Sequence, residues 1–533
     1  MHPARNAFAL LTLLPLLAGC GGEQPPATTA PATDAIHIDT KTMKRIGTVS
    51  ERYQSYNVEM VEVVGGKFWK PYRLMDSTGA DTADGMAALT MGDERMFRKM
   101  EPINLADQRL VRLAQGLAPA YVRVSGTWAN ATYFQDDDQP ARAVPKGYVN
   151  VLTRAQWKGV VDFIQATNGA LVTSFAVSNG VRDAKGLWTP VNAAKLVAYT
   201  KSLGGSVAAA ELFNEPNIPG AGGELRADYD VAAYARDEQA FRAWAKKDVP
   251  DMLVAGPGAI GEGLEGVSFE ELGQGTAFFT TESMLRAEPR PDFDVYSYHF
   301  YGAASARAMK SGPFSIQPAN ALKPAWLTRT DQVADLNTAL RDKYQPGKPI
   351  WLTETAEAAA GGDPFAVTYL DCFRYLYQLG SLARKGVQVV MHNTLATSEY
   401  SLIDQDTHLP KPNYWAAYLW AQLMGTEVHD AGAGKPGTYL FAHNTKGQVG
   451  GITVLMINTN DSAAPVHLPA KAQRYTLTST GLDGTTVLLN GAELKLTATD
   501  ELPPLQGQAE EAGTLELPAH SISFLTFAGG VAP

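Results

Sequence analysis

The chain has 533 residues, too many for one ordinary domain, so a large domain with a smaller companion is expected. Its hydrophobic share of 45% and charged share of 19% are those of a soluble globular protein. A formal net charge of −10 argues against nucleic acid and other polyanions as partners, and leaves room for an acidic sugar held by a few local donors.

The first twenty residues read as an export signal: Arg5 in "MHPARN", the apolar run "AFALLTLLPLL", then "LAGC" ending on Cys20. That run is too short for a permanent membrane span. "LAGC" resembles the lipobox of bacterial lipoproteins, which implies a lipid on Cys20 and a protein held at a membrane, in the periplasm or at the cell surface. The alternative is an ordinary secretory signal. Residues 21–35, rich in Pro, Thr and Ala, read as a disordered tether.

Within residues 36–56, "AIHIDT" and "KRIGTV" read as short strands. Eight further apolar runs follow: "YNVEMVEVVGG", "AYVRVSGTWAN", "ALVTSFAVSNG", "VAAAELFNEPN", "MLVAGPGAI", "FDVYSYHFYG", "PIWLTETAE" and "VQVVMHNTLA". Helical stretches such as "TRAQWKGVVDFIQATN" separate several of them. This alternation predicts an α/β fold of parallel strands with right-handed crossovers, a (β/α)8 barrel over residues 57–420. An open doubly wound sheet would carry a Gly-rich phosphate turn, and no GxGxxG or GxxxxGK[ST] appears. Cys372 sits at helical spacing in "YLDCFRYLYQLGSLARKG" and reads as a small core residue, with no disulfide partner once Cys20 is lipidated. From residue 421 to 533 the texture changes to "GGITVLMINTN", "RYTLTST" and "HSISFLTFAG", an antiparallel β-sandwich that the N-terminal strands are predicted to join.

Chemistry in such a barrel sits at the C-terminal strand ends. Strand four ends on Asn214 and Glu215 before Pro216, and strand seven ends on Glu354. Neither carboxylate is useful in a buried strand, and only the fold brings them together. Carboxyls about 5–5.5 Å apart suit a retaining glycosidase.

"NEP" on strand four with Glu on strand seven resembles a clan of glycosidases that uses those two positions. "SYNVEMVEVVGGKFW", "LAPAYVRVSGT", "WLTETAEAAAGG" and "VVMHNTLATSEYSLIDQDTHLPKPNYW" narrow the resemblance to the heparanase and β-glucuronidase family, from about residue 50 to 430. The resemblance implies a carbohydrate substrate with β-linked glucuronic acid, 4-O-methylated or not, and neither cofactor nor metal. It implies Glu215 as acid/base, its pKa raised by nearby Glu354, and Glu354 as nucleophile, kept ionised by Arg123. Asn214 matches a contact to the sugar 2-hydroxyl. Asn57 and Thr127 match other hydroxyl contacts, and His299 and Tyr301 match cleft positions, with Tyr301 in reach of Glu354. Gly361, Gly362 and Tyr400 match the part that holds the sugar carboxylate through backbone N–H groups and a phenol, although Ala360 departs from the family's glycine run.

Other charges read as structural: Glu211 as a buried pair, Glu357 as a rim charge, Asp136 to Asp138 as a solvated turn. The expected activity is exo-acting, because the loops predicted to rim the cleft are acidic and only Arg182 and Lys185 after strand three offer cations. An endo-acting heparanase-like enzyme and an inactive glycan-binding surface lipoprotein are the alternatives. A metal-dependent hydrolase is disfavoured because His299, His392 and His408 lack paired ligand spacing.

Overall fold

Eight short strands, most of them buried on both faces, leave their backbones only one another to pair with. In the computed structural model they close into a parallel barrel, and residues 35–75, 94–221, 225–264 and 278–529 are described. We number the strands β1 Gln54–Glu59, β2 Ala120–Ser125, β3 Gly169–Ser174, β4 Val207–Glu211, β5 Leu253–Ala259, β6 Val295–Tyr301, β7 Ile350–Ala356 and β8 Val387–His392. Each pairs with its neighbours in chain order, and β8 returns to β1. The barrel begins at Gln54, slightly before the sequence boundary at 57. The signal, Cys20 and the tether lie outside the described residues, as does most of the acidic loop after β5.

Helices between the strands bury one stripe each. Arg154–Ala166 opens with a capping box, in which the Thr153 side chain accepts from Gln156 N–H and Gln156 reaches back to Thr153. It buries Trp157, Val160, Val161, Phe163 and Ile164. Helix Tyr369–Arg384, which carries Cys372, is buried along nearly its whole length because it lies between the barrel and a second sheet. Gly380 permits this approach: a Cβ there would fall 2.2 Å from the Phe441 ring.

Inside the barrel, side chains stack in layers. The lower layer is apolar, built from Val172, Ala209, Ala255, Val295, Trp351, Val389 and Met391. Two residues further up the strands the interior turns polar, with Asn57, Arg123, Glu211, Ser297 and Thr353 all buried. That layer is the floor of the site.

Helix Pro412–Leu423 runs directly into strand Met424–His429, which begins an antiparallel sheet with Thr438–Thr445, Ile452–Asn458, Ser521–Phe527 and Ala472–Thr478. Arg45–Thr48 adds to its edge against Met424–His429. A three-stranded sheet, Ile36–His37, Ala464–Leu468 and Gly513–Leu517, covers one face across a core that includes Val454, Met456, Val466 and Leu525. The opposite face, with Phe441, Leu455, Ile457 and Phe524, merges with the barrel's own core. The large sheet is therefore buried on both sides.

Candidate active site

The site is organised by one guanidinium. Arg123 is fully buried on β2, and its Nη1 donates to Glu354 Oε2 at 2.8 Å. Its Nε and Nη2 donate to Glu211 Oε2 at 3.1 and 2.8 Å, and Nη2 also reaches Asn214 Oδ1 at 2.7 Å. Glu211 Oε1 accepts hydrogen bonds from the Ser297 and Thr353 hydroxyls, each at 2.7 Å. Burial works against the Glu211 charge, but Arg123 and His299 overcome it and hold the carboxyl well below its usual range. Glu211 is thus the permanent counter-ion of Arg123.

Thr353 and Glu354 are sequence neighbours and yet both point inward. A strand normally alternates, and the exception comes from register shifts at this level of β7, against both β6 and β8. The bulge delivers Glu354 to the Arg123 guanidinium on one oxygen and to Tyr301 Oη, at 2.8 Å, on the other. Burial, then the Glu354 charge, push the Tyr301 phenol up, so it remains a donor.

Glu215 follows β4 with its own backbone in the left-handed region, φ 54°. One of its oxygens lies within 4.8 Å of an oxygen of Glu354. Its carboxyl is shifted up first by burial and only then by Glu354, so the sequence-based cause takes second place. His299 Nδ1 lies 3.1 Å from Glu215 Oε1. Arg123 Nη2, which can only donate, lies 3.2 Å from His299 Nε2 and favours a neutral ring with its proton on Nδ1. Burial lowers the ring's pKa, but Glu354, Glu211 and Glu215 outweigh it and raise it to about 9, so the carboxylates favour the cation against the Arg123 contact. In both states Nδ1–H faces Glu215. Glu215, His299 and Glu354 are close enough together to hold a metal ion. Metallation at Nδ1 would move the ring proton to Nε2, against the Arg123 donor, so the trio fits a metal poorly.

The remaining predicted residues divide. Asn214 Nδ2 is buried with no protein partner, an open donor beside Glu215. Asn57 Nδ2 donates to Thr353 C=O at 3.2 Å in the floor, where it braces β1 against β7. Thr127 begins the half-buried turn Thr127–Ala131 after β2. Tyr400 is buried, with its hydroxyl 3.1 Å from Asn393 Nδ2. Gly361 and Gly362 adopt φ 89° and 80°, and a Cβ at either would press on Trp69 or Tyr400 at 3.0 Å or less. The Gly362 N–H donates to Ala358 C=O at 3.1 Å.

Two charges were misjudged. Glu357 is fully buried rather than on the rim, and its Oε2 accepts the Asp363 N–H at 2.9 Å. Arg182 is bound to Asp237 at 2.9 Å with its side chain 5% exposed, so it offers no rim cation. Sequence reasoning also missed residues. Glu59 ends β1 with Oε1 3.0 Å from Asn393 Nδ2 and Oε2 buried without a partner, its carboxyl raised by burial and then by Glu354. Counting by twos from Asn57 would have found it. Asn393, Asn130 and Arg307 carry no comparable signal, because their partners come from distant loops.

No family model matches the chain. It is 25% identical to heparanase of Mus musculus over 575 aligned positions, covering 95% of each chain. It is 25% identical to a hyaluronoglucuronidase of Hirudo nipponia, over 77% of this chain and 87% of that one. A 4-O-α-L-rhamnosyl-β-D-glucuronidase structure from Fusarium oxysporum superposes with a TM-score of 0.60 at 12% identity, over 92% of this chain and all of the other, a likeness of fold.

Proposed function

The chain is a homologue of the heparanase-like and glucuronidase proteins across most of its length, and on that premise we propose a retaining, exo-acting β-glucuronidase. The observation that carries the proposal is the unequal pair of carboxyls with oxygens within 4.8 Å. That spacing is nearer to the roughly 5–5.5 Å of retaining enzymes than to the roughly 6.5–9.5 Å that inverting enzymes keep for a water, and so supports direct attack by one of them. Glu354, with a donor on each oxygen, attacks the anomeric carbon. The glycosidic C–O bond breaks as Glu215, whose burial favours the protonated form, delivers its proton to the leaving oxygen. His299 Nδ1–H occupies Glu215 Oε1, which leaves Oε2 to carry that proton. Esterification removes the Glu354 charge and with it one cause of the raised Glu215 pKa. Glu215 then takes a proton from water, the water oxygen bonds to the anomeric carbon, and Glu354 is released. Asn214 Nδ2 is placed to donate to the sugar 2-hydroxyl.

The exo reading is supported by a wall. Glu399 accepts the Tyr72 N–H at 3.0 Å and pairs with Arg307, whose guanidinium stacks 4.0 Å from the Tyr72 ring centroid. Arg307 also donates to the carbonyls of Lys70, Ala360 and Gly362 at 2.9, 3.0 and 2.8 Å. These contacts join the loops after β1, β6, β7 and β8 beside Gly361 and Tyr400. The ring carbon that bears O4 neighbours the one that bears the carboxylate, so with the carboxylate beside Gly361 and Tyr400 a chain continuing from O4 would meet this wall. Release of nitrophenol from the β-glucuronide, bare or 4-O-methylated, and not from the xyloside or glucoside tests the substrate class. NMR of the first-formed anomer tests retention. Loss of heparan sulfate chain length without free glucuronic acid would overturn the exo reading.

We also propose export with a lipid on Cys20, on the strength of "LAGC" at residues 17–20. Mass spectrometry of the mature N-terminus in the membrane fraction tests it, and an unmodified secreted chain would overturn it.

A further inference from the structure

Adjacent residues on an extended strand point to opposite sides, yet Asn214 and Glu215 both face the Arg123 centre. The left-handed backbone of Glu215 makes this possible, a conformation that a residue with a side chain adopts only when its surroundings hold it. The hold comes from Asn130, a fully buried residue in the turn after β2. Its Oδ1 accepts the Asn214 N–H at 3.0 Å, and its Nδ2 donates to the Asn214 C=O at 3.0 Å. The side-chain amide thus pairs with the peptide groups of Asn214 as a neighbouring strand would, three residues after the β3–β4 ladder ends at Ser174 and Glu211. The carbonyl of Asn130 is fixed in turn by the N–H groups of Val177 and Ser178, at 2.8 and 3.1 Å. One asparagine therefore ties the ends of β2, β3 and β4 into a single frame.

We propose that Asn130 is a positioning residue that sets the acid/base: by clamping both peptide groups of Asn214, it fixes the turn that aims Glu215 at the leaving-group oxygen. This rests on the reading of Glu215 as the acid. Asn130 is fully buried behind Asn214, with both side-chain polar atoms used on that peptide. Its loss would leave Glu354 and Arg123 in place and let the Glu215 backbone relax toward an ordinary strand conformation, carrying the carboxyl away from the cleft.

The test is leaving-group dependence of kcat/KM, which reports the first bond-breaking step. Aryl glucuronides from dinitrophenol to unsubstituted phenol are compared for the parent, Asn130→Ala and Glu215→Ala. General acid catalysis contributes about 100-fold or more for poor leaving groups. Asn130→Ala is expected to lose about that much on the phenyl substrate and less than about 10-fold on the dinitrophenyl substrate. The alkaline limb of its pH profile, which reports the protonated acid Glu215, should also shift. Asn130→Asp keeps the acceptor and loses the donor, and is expected to fall between parent and Ala. It serves as the folded variant if Ala does not fold, with melting curves as the check. Equal losses on both substrates in folded variants, or no loss, overturn the proposal. A Glu215→Ala variant that itself shows no leaving-group dependence overturns the acid assignment instead, and so separates the two failures.

Discussion

Two glutamates of the same chemistry sit in unlike electrostatic settings because one guanidinium touches only one of them. Arg123 donates to Glu354 and not to Glu215, and burial does the rest. Glu354→Gln is therefore expected to fold normally and lose turnover, since an amide cannot form the glycosyl ester. Glu215→Ala is expected to regain activity with added azide on good leaving groups, azide replacing the water that needs a base. Rescue of the Glu354 variant alone would reverse the two roles. Arg123→Lys keeps the charge but cannot reach Glu354, Glu211 and Asn214 together, and is expected to lower kcat/KM by about 100-fold. A loss below about 3-fold would show that the fork geometry is dispensable. The two glutamates were legible because carboxylates at strand ends are out of place anywhere but a cleft. Glu357 lies at a similar place in the sequence and was misread, because nothing in "TAEAAAGG" tells that its loop folds inward over Asp363.

At the scale of elements, the bulge in β7 and the turn after β8 shape the site as much as its residues do. The turn Ser398–Ser401 carries Tyr400 and is pinned from below. Lys411 Nζ donates to Ser398 C=O, Glu399 C=O and Ser401 Oγ at 2.8, 3.1 and 2.8 Å, and His392 Nε2 lies 2.7 Å from Tyr400 C=O. Lys411→Met would strand the Glu399 carbonyl, at a cost of about 1–3 kcal/mol, while Ser398 C=O keeps the Ser401 hydroxyl and N–H. We expect a measurable fall in denaturant midpoint and a rise in KM for the glucuronide that exceeds any fall in kcat. An unchanged KM would show that the turn holds Tyr400 without Lys411. The alternation of strands and helices made all eight barrel strands legible. The bulge was not, because period-two reading sends Thr353 and Glu354 to opposite faces and only pairing with β6 and β8 reveals otherwise.

At the scale of the molecule, buried titratable groups set a stability profile. Burial raises Glu62 to about 7 and Glu238 to about 8, so the folded chain holds protons there that the unfolded chain releases above the ordinary carboxylate value of about 4.3. Their contribution falls as pH rises toward 8. Burial lowers His392 to about 3 and His443 to about 4, so the unfolded chain binds protons below about 6.5 that the folded chain refuses, and stability falls with acid. The two trends oppose each other between about 4.3 and 6.5, where the raised carboxyls of Glu59, Glu215 and Glu357 add to the fall with rising pH. Melting temperature is expected to be higher at pH 5.5 than at pH 8.5, and the reverse order would sink the account. Truncation after residue 420 is expected to give an insoluble or inactive barrel, because Phe441, Leu455 and Phe524 cover apolar surface of the barrel helices. A soluble, fully active fragment would count against this. The sequence pattern marked the second sheet and its burial against the barrel and the N-terminal strands, but not the close approach at Gly380 that permits it.

Strand Arg45–Thr48 pairs with Met424–His429, so the edge of the second sheet is laid down by residues separated by almost the whole barrel. On a ribosome adding about 5–20 residues per second, the early strand would wait roughly 20 to 80 seconds for its partner. The barrel strands can begin to pair during that interval, while the sheet that backs them cannot close. The upstream strand Arg45–Thr48 is exposed and only four residues long, with a single charge at Arg45, and its shortness limits pairing with other chains during the wait. Once made, the pairing turns the molecule into a clasp in which both ends of the fold grip the same sheet, so a single cut in a barrel loop would leave the pieces held together.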